Sequence, residues 1–420
     1  MPLLAPSTVI WCVAALATAG VILRPWRVPE WVWALSGALI LVLTGLIPLG
    51  AAMSAVAKGG DVYLFLIGMM LLAELARQEG LFDWLATRAA QHARGSAQRL
   101  FDLVFMVGIG VTVLLSNDAT AVVLTPAVYA AARAAKAEPL PYLFICAFIA
   151  NAASFVLPIS NPANLVIFAS HMPPLLEWLA RFSLPSIAAI GLTYGVLRLT
   201  QRRHLQAPLA LDIPLHPLPP GARLTAWGIG LTAGVLLLAS ALDLPLGLPT
   251  FVTGLATSAG VLLRQRANPL QVLKGVSWGV LPLVAGLFVL VEGLILTGLI
   301  DRLAHALQGL AERNAAQATW GAGVVVAFAC NLLNNLPAGL IAGSVAHIAP
   351  LPAHTTSALL IGVDLGPNLS ITGSLATILW LIAVRREGEH VSAWAFLKLG
   401  VLVMPPALFG ALAALTITGH

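Results

Sequence analysis

The chain has 420 residues, 59% hydrophobic and only 9% charged, with a formal net charge of +5. Soluble proteins carry about 25% charged residues. This balance therefore excludes a soluble or nucleic-acid-binding protein, and apolar runs from end to end read as an all-α polytopic membrane protein. In such a chain the placement of Lys and Arg matters more than their sum. Cys12, Cys146 and Cys330 are odd in number and far apart, so they imply neither a disulfide framework nor a metal site.

The first span is expected at 7–23. It lacks a basic leader and runs straight into Arg24-Pro25-Trp26-Arg27, which reads as a span rather than a cleaved signal. Spans at 31–49 and 61–79 follow, then an amphipathic piece, Leu81 to His92, that suits the membrane interface. The apolar block 101–132 carries Leu115-Ser116-Asn117-Asp118-Ala119-Thr120 at its centre. A span at 140–170 is interrupted by Pro158, Asn161 and Pro162, and another lies at 183–200. Segment 201–224, polar and rich in proline, is a linker. The order of elements then returns, with spans at 225–242, 248–264 and 277–297 and an interfacial piece at 299–312. Block 318–348 is centred on Leu333-Asn334-Asn335-Leu336-Pro337; a broken span at 355–384 and a last span at 393–416 complete the chain.

Glu74, Gly80, Asp83 and Asn117 match Glu292, Gly298, Asp301 and Asn335, each 218 residues later. Ungapped polar and glycine matches in elements of the same order predict a repeat, with halves 1–200 and 225–420. If 101–132 and 318–348 are re-entrant hairpins, each half crosses the membrane five times, and the second half is inverted. The basic residues test this. One side of that topology holds 18 Lys and Arg, the other only Lys58, Arg181, Arg302 and Arg313. The positive-inside rule then predicts ten spans plus two hairpins in the inner membrane, with both termini outside and the linker cytoplasmic.

Polar side chains at the hairpin tips would lie deep in hydrocarbon, where unpaired polar groups cost several kcal/mol, and such groups commonly line transport paths. Asp118, or Asn117, is expected to cap the helix opening at Ala119, and Asn335 the one opening at Leu336-Pro337. Helix N-termini would then face the midplane from both sides. The first broken span adds Asn151, Ser154, Ser160, Asn161 and Asn164. The second adds Asp364, Gly366, Pro367, Asn368, Ser370, Thr372, Gly373, Ser374 and Thr377. Irregular backbone at that depth lines enclosed cavities, and two such halves meeting at the midplane form a secondary transporter. Candidate substrate contacts are Ser116, Asn117, Asp118, Thr120, Asn151, Ser160, Asn161, Asn164, Asn334, Asn335, Asn368, Ser370, Thr372, Gly373 and Ser374; part of this set serves only to satisfy unwound backbone. Asp118 and Asp364, the carboxylates of these elements, are the proton-coupling candidates. Burial and donor groups act on their protonation in opposite senses, which lets such a group titrate in service. Glu74, with Arg77 nearby, reads as an interfacial ion pair, and His305, His347 and His354 as solvated or interfacial. The chain has no His-Glu-x-x-His, Gly-x-Ser-x-Gly or phosphate loop, so neither an enzyme nor a bound cofactor is expected.

The runs Ser116-Asn117-Asp118-Ala119-Thr120-Ala121-Val122-Val123-Leu124-Thr125-Pro126 and Gly362-Val363-Asp364-Leu365-Gly366-Pro367-Asn368 resemble the ArsB arsenite efflux permeases of the ion transporter superfamily. Ser370 to Thr377, Gly80-Leu81-Phe82-Asp83-Trp84 and Asn334-Asn335-Leu336-Pro337 extend the resemblance over nearly the whole chain. It implies export of As(III), and often Sb(III), against proton inflow, with an optional soluble arsenite-stimulated ATPase as partner. Asn151 stands where some relatives are expected to hold Asp, which leaves coupling to fewer carboxylates. Arsenous acid is neutral and presents three hydroxyls, which suit amide, hydroxyl and backbone partners rather than a cationic clamp. Cys330, near the second tip, is the thiol placed to meet thiophilic As(III), although an isolated Cys is more commonly a small buried hydrophobe. A Na⁺/H⁺ antiporter or oxyanion or carboxylate carrier of the same superfamily, a passive channel, or the membrane subunit of an ATP-driven pump are the alternatives.

Overall fold

The computed structural model describes residues 5–168, 172–211, 213–214 and 217–418. Positions 169 and 170 of the first broken span, three linker positions and both chain ends, which were expected outside, lie beyond the described residues. Within them the regular structure is helical, and the β-type pairing is an isolated bridge between Ser96 and Pro208.

Seven helices are long and apolar enough to cross a bilayer, and an eighth arises if Leu49–Lys58 and Gly60–Gln78, bent by 47°, count as one. Glu30–Leu43 and Leu140–Ala152 are shorter apolar helices. The protein is thus an all-helical polytopic membrane protein. Several boundaries differ from the sequence expectation. The interval 50–60, read as a loop, is helix Leu49–Lys58, which opens just after Pro48, where a residue without an N–H is tolerated. The span expected at 183 begins at Leu175, and Pro185 sits inside it. Ser96 and Asn314 cap the first arms of the two hairpins, which start earlier than expected, at Ala97 and Ala315.

The four matched pairs occupy corresponding places. Gly80 and Gly298, at φ +75° and +72°, each open an amphipathic helix, Leu81–His92 and Leu299–Arg313. That left-handed conformation is open to glycine at little cost. Asp83 and Asp301 lie in the first turns that follow, and Asn117 and Asn335 begin the second arms of the hairpins.

Helices from the two parts of the chain pair with each other. Gly60–Gln78 packs on Gly247–Gln265, Glu30–Leu43 on Val280–Leu296, and Leu175–Gln201 on Ala393–Ile417. A Cβ on Gly68 would stand 2.3 Å from the Thr250 carbonyl oxygen, so the backbones touch there. Membrane helices gain their packing from such small-residue contacts, because lipid offers no hydrophobic drive between them. Members of these pairs also pack against the broken helices and the second hairpin. The second arm of each hairpin packs on the far half of the other part's broken helix: Asn335–Ile348 on Pro162–Phe168, and 120–134 on Leu375–Arg386. All four interruptions are thereby drawn towards one another.

Candidate functional site

The first hairpin breaks at 115–116. Ser116 is extended, and its Oγ accepts from the Ala119 N–H at 3.1 Å. The cap is therefore Ser116, not Asp118 or Asn117: the helix opens at Asn117, two residues earlier than the sequence suggested, which places both inside its first turn. Asn117 Oδ1 accepts from the Asp118 N–H at 2.9 Å, and the half-buried Asp118 carboxylate has no hydrogen-bond partner among the described residues. Thr120 shares a 2.8 Å bond with Thr112 on the facing arm. A π-helical turn over Thr120–Leu124 leads into Thr125-Pro126, where proline has no N–H to donate.

The second hairpin turns on Asn334, held at φ +73° and ψ 153°. A non-glycine residue in such a conformation costs about 1–3 kcal/mol and persists where its surroundings hold it. Asn334 Nδ2 donates to the Thr372 carbonyl at 3.2 Å. The expected cap at Asn335 does not form, because Asn335 is itself the first helical residue; its amide is unpartnered among the described residues.

Two contacts tie the broken helices together. Asn151 Nδ2 donates to Asn368 Oδ1 at 3.0 Å, with Ser374 and Thr377 alongside, while Asn368 Nδ2 reaches the Phe148 carbonyl at 3.1 Å. Asn161 Nδ2 donates to Asp364 Oδ1 at 2.7 Å, and its own Oδ1 caps the helix through the Ala163 N–H. Asp364 is fully enclosed, yet its Oδ2 receives no hydrogen bond, and neither does Asn164 Oδ1. Beside Asp364, the Ser154 hydroxyl donates to the Asn151 carbonyl at 2.7 Å, which leaves its oxygen free to accept. Asn164 Nδ2 holds the Ser154 carbonyl at 2.9 Å, and Ser160 Oγ reaches the Val113 carbonyl on the first hairpin at 3.2 Å. Ser374 caps Leu375–Arg386, and Gly373 lets the backbone pass against Pro367.

Asn331 was missed by sequence reasoning, although it is a polar residue in an apolar arm three positions before Asn334. Its Nδ2 donates to the Ala327 and Gly366 carbonyls at 2.9 and 3.0 Å, and its Oδ1 accepts from Ser370 Oγ at 2.6 Å. Thr372 Oγ1 donates to its carbonyl at 2.9 Å and contacts Ser370 Oγ at 3.0 Å. Cys330 is wholly buried, its thiol against the Gly362 and Val363 carbonyls. Glu74 pairs with Arg77, as expected, and Glu292 pairs with Lys58.

The centre is nearly closed: Asn151, Asn161, Asn164, Asp364, Asn368 and Ser374 are each at most 3% exposed. It contains amides, hydroxyls and carboxylates, with no Lys or Arg in the tips or breaks. A cavity of about 710 Å³ opens at the end of the molecule that carries Lys58, Asp61, Asp243 and His347. Its floor is Leu165, Val166, Leu340 and Gly343, on the helices that begin at Pro162 and Asn335.

The sequence signature described as citrate transporter, CitMHS, matches residues 13–387. The chain belongs to the CitMHS family. Within CitMHS it is similar to the arsenical pump membrane protein of Yersinia enterocolitica, at 32% identity over 368 residues, 84% of this chain and 85% of the relative. To the arsenical pump membrane protein of Escherichia coli (strain K12) it is 30% identical over 401 residues, covering 91% and 92% of the two chains. The solved YdaH transporter of Alcanivorax borkumensis shares the fold, with a TM-score of 0.58, 16% identity and 98% of each chain covered. The protein is therefore a multi-pass membrane transporter of the CitMHS family.

Proposed function

We propose that this chain is a secondary transporter that exports As(III), and its analogue Sb(III), from the cytoplasm in exchange for protons flowing in. The observation that carries this reading is the centre's charge character: amides and hydroxyls surround a buried carboxylate, with no Lys or Arg in the tips or breaks. A neutral trihydroxy acid fits such a site through hydrogen bonds alone. The names of the arsenical pump relatives support the same cargo. The CitMHS description also raises citrate, but a tricarboxylate held out of water calls for Arg or Lys partners.

On this reading Asp364 couples the two flows. Its empty Oδ2 position is satisfied either by its own proton, donated towards Ser154, or by a hydroxyl of the cargo. An ionised carboxylate left bare there is expensive. Proton and cargo therefore exclude each other. Asp364 loses its proton to the cytoplasm, arsenous acid binds once the Asn161–Asp364 contact parts, and after release outside the proton returns. Asp118, Asn117 and Asn335, whose polar groups are not used up by the protein, complete the cargo contacts together with Ser116, Thr120, Asn334, Ser370 and Thr372. Asn151, Asn368 and Ser374 brace the centre, and Cys330 packs.

We also place both chain ends outside, the linker in the cytoplasm and the halves as inverted repeats in the inner membrane, on the strength of the basic-residue split and the matched pairs. The 710 Å³ cavity is then the exit vestibule. The proton gradient suffices as driving force, and a soluble ATPase would be an accessory. Expression in an arsenite-sensitive host lacking its own pump should raise arsenite resistance and lower cell-associated arsenic. Unchanged arsenic accumulation, with Na⁺ or a carboxylate moved instead, would refute the assignment.

A further inference from the structure

Between helix Pro6–Leu23, the amphipathic helix Leu299–Arg313 and the second hairpin lies a cavity of about 760 Å³. Apart from Trp11 and Thr18 its wall is apolar, and the Trp11 indole N–H is engaged by Thr297 at 2.9 Å. The space opens on the surface of the bundle, where lining residues Leu303 and Val325 are exposed, and so apolar a wall does not hold ordered water. At its inner end the wall is Leu333 and Pro337, on either side of the Asn334 turn.

The helix that closes it has a definite charge order. Leu299, Leu303, Ala306, Leu307 and Leu310 form the stripe that faces the cavity. At 3.6 residues per turn, Arg302 and Arg313 fall along one edge of that stripe, while Asp301, Gln308 and Glu312 fall on the opposite face. Of the four cations on the sparsely charged side of the chain, Lys58 and Arg181 are paired with Glu292 and Glu177. Arg302 and Arg313 make no ion pair among the described residues.

We propose that this cavity is a lipid site: an acyl chain of an anionic phospholipid fills it up to the back of the second hairpin tip, and the phosphate is drawn to the edge that carries Arg302 and, about 16 Å further along the helix, Arg313. Hydrocarbon matches the wall, and a phosphate matches the unpaired guanidinium groups. A second copy of this chain fits less well, because a two-fold contact through this face would bring the same arginines against each other. The lipid tail seals the rear of the Asn334 turn against water.

The test is native mass spectrometry of the full chain released from nanodiscs of equal phosphatidylglycerol and phosphatidylethanolamine. The natural sequence should retain phosphatidylglycerol in several-fold excess. The exposed double variant Arg302→Gln/Arg313→Gln should bring the ratio to about one. Ala15→Trp/Ala329→Trp, which fills the cavity and leaves the arginines in place, should lose retained lipid of both kinds. Phosphatidylglycerol added to detergent-solubilised protein should raise the melting temperature of the natural sequence and of neither variant. Equal retention of the two lipids by the natural sequence, undiminished retention by the filled variant, or a lipid-free dimer joined through this face would overturn the proposal.

Discussion

Asp364 has one oxygen held by Asn161 and one without a donor, so on our reading a proton and a cargo hydroxyl compete for a single buried position. The sign of the resulting pH dependence follows. Protonation removes the acceptor that arsenous acid needs, so apparent affinity falls as pH is lowered through the titration of Asp364. The limiting slope is about tenfold per pH unit for one competing proton, or 1.36 kcal/mol. Asp364→Asn, which places an amide where the proton would be, should bind weakly at every pH and show no such slope. Titrations of purified protein at stepped pH check this, and an equal slope in the variant would refute it. Asn331 makes a separate prediction. Asn331→Ala leaves the Gly366 carbonyl and the Ser370 hydroxyl short of a partner, at about 1–3 kcal/mol for a buried group. The thermal midpoint should drop accordingly, and an unchanged midpoint would mean that water replaces the amide. The sequence makes such residues conspicuous because hydrocarbon penalises every one of them. It does not disclose their partners: Asn151 meets Asn368 across 217 residues and Asn161 meets Asp364 across 203, which no local pattern encodes.

At the scale of elements, the order of helices and the interruptions at Ser116, Asn334 and the two proline-containing breaks were legible, because apolar runs and helix breakers are local signals. Cap identity was not. Ser, Asn and Asp are all good caps, and the backbone angles at the break select Ser116. Ser116→Ala should therefore destabilise by about 0.5–2 kcal/mol, whereas Asp118→Ala should leave the cap intact. Chemical unfolding of the pair in mild detergent separates them, and equal losses would return the cap to Asp118. The packing of Gly60–Gln78 on Gly247–Gln265 was also hidden, since it rests on backbone meeting backbone at Gly68. Gly68→Val should cost about 1–3 kcal/mol by overpacking. Gly110→Ala, with nothing within 4 Å of its added Cβ, should cost far less, because only local helix terms remain. If the two substitutions prove equally mild, the helices are not in the contact described.

For the whole molecule, charge asymmetry and the paired elements make two inverted halves the economical arrangement, and single-cysteine labelling in intact cells tests it. Met53→Cys, on an exposed turn of Leu49–Lys58, should react with an impermeant reagent, while a cysteine at Gln206 in the linker should not. Reaction at Gln206 would reverse the topology. The central claim is that uphill export is driven through Asp364. It is tested most directly by counting arsenite taken up by proteoliposomes, with the transporter oriented to pump inward, under an imposed pH gradient. The natural sequence should accumulate arsenite above its external concentration and lose the excess when a protonophore is added, whereas Asp364→Asn should do no more than equilibrate. Accumulation by Asp364→Asn that matches the natural sequence and collapses with the same protonophore would contradict the account.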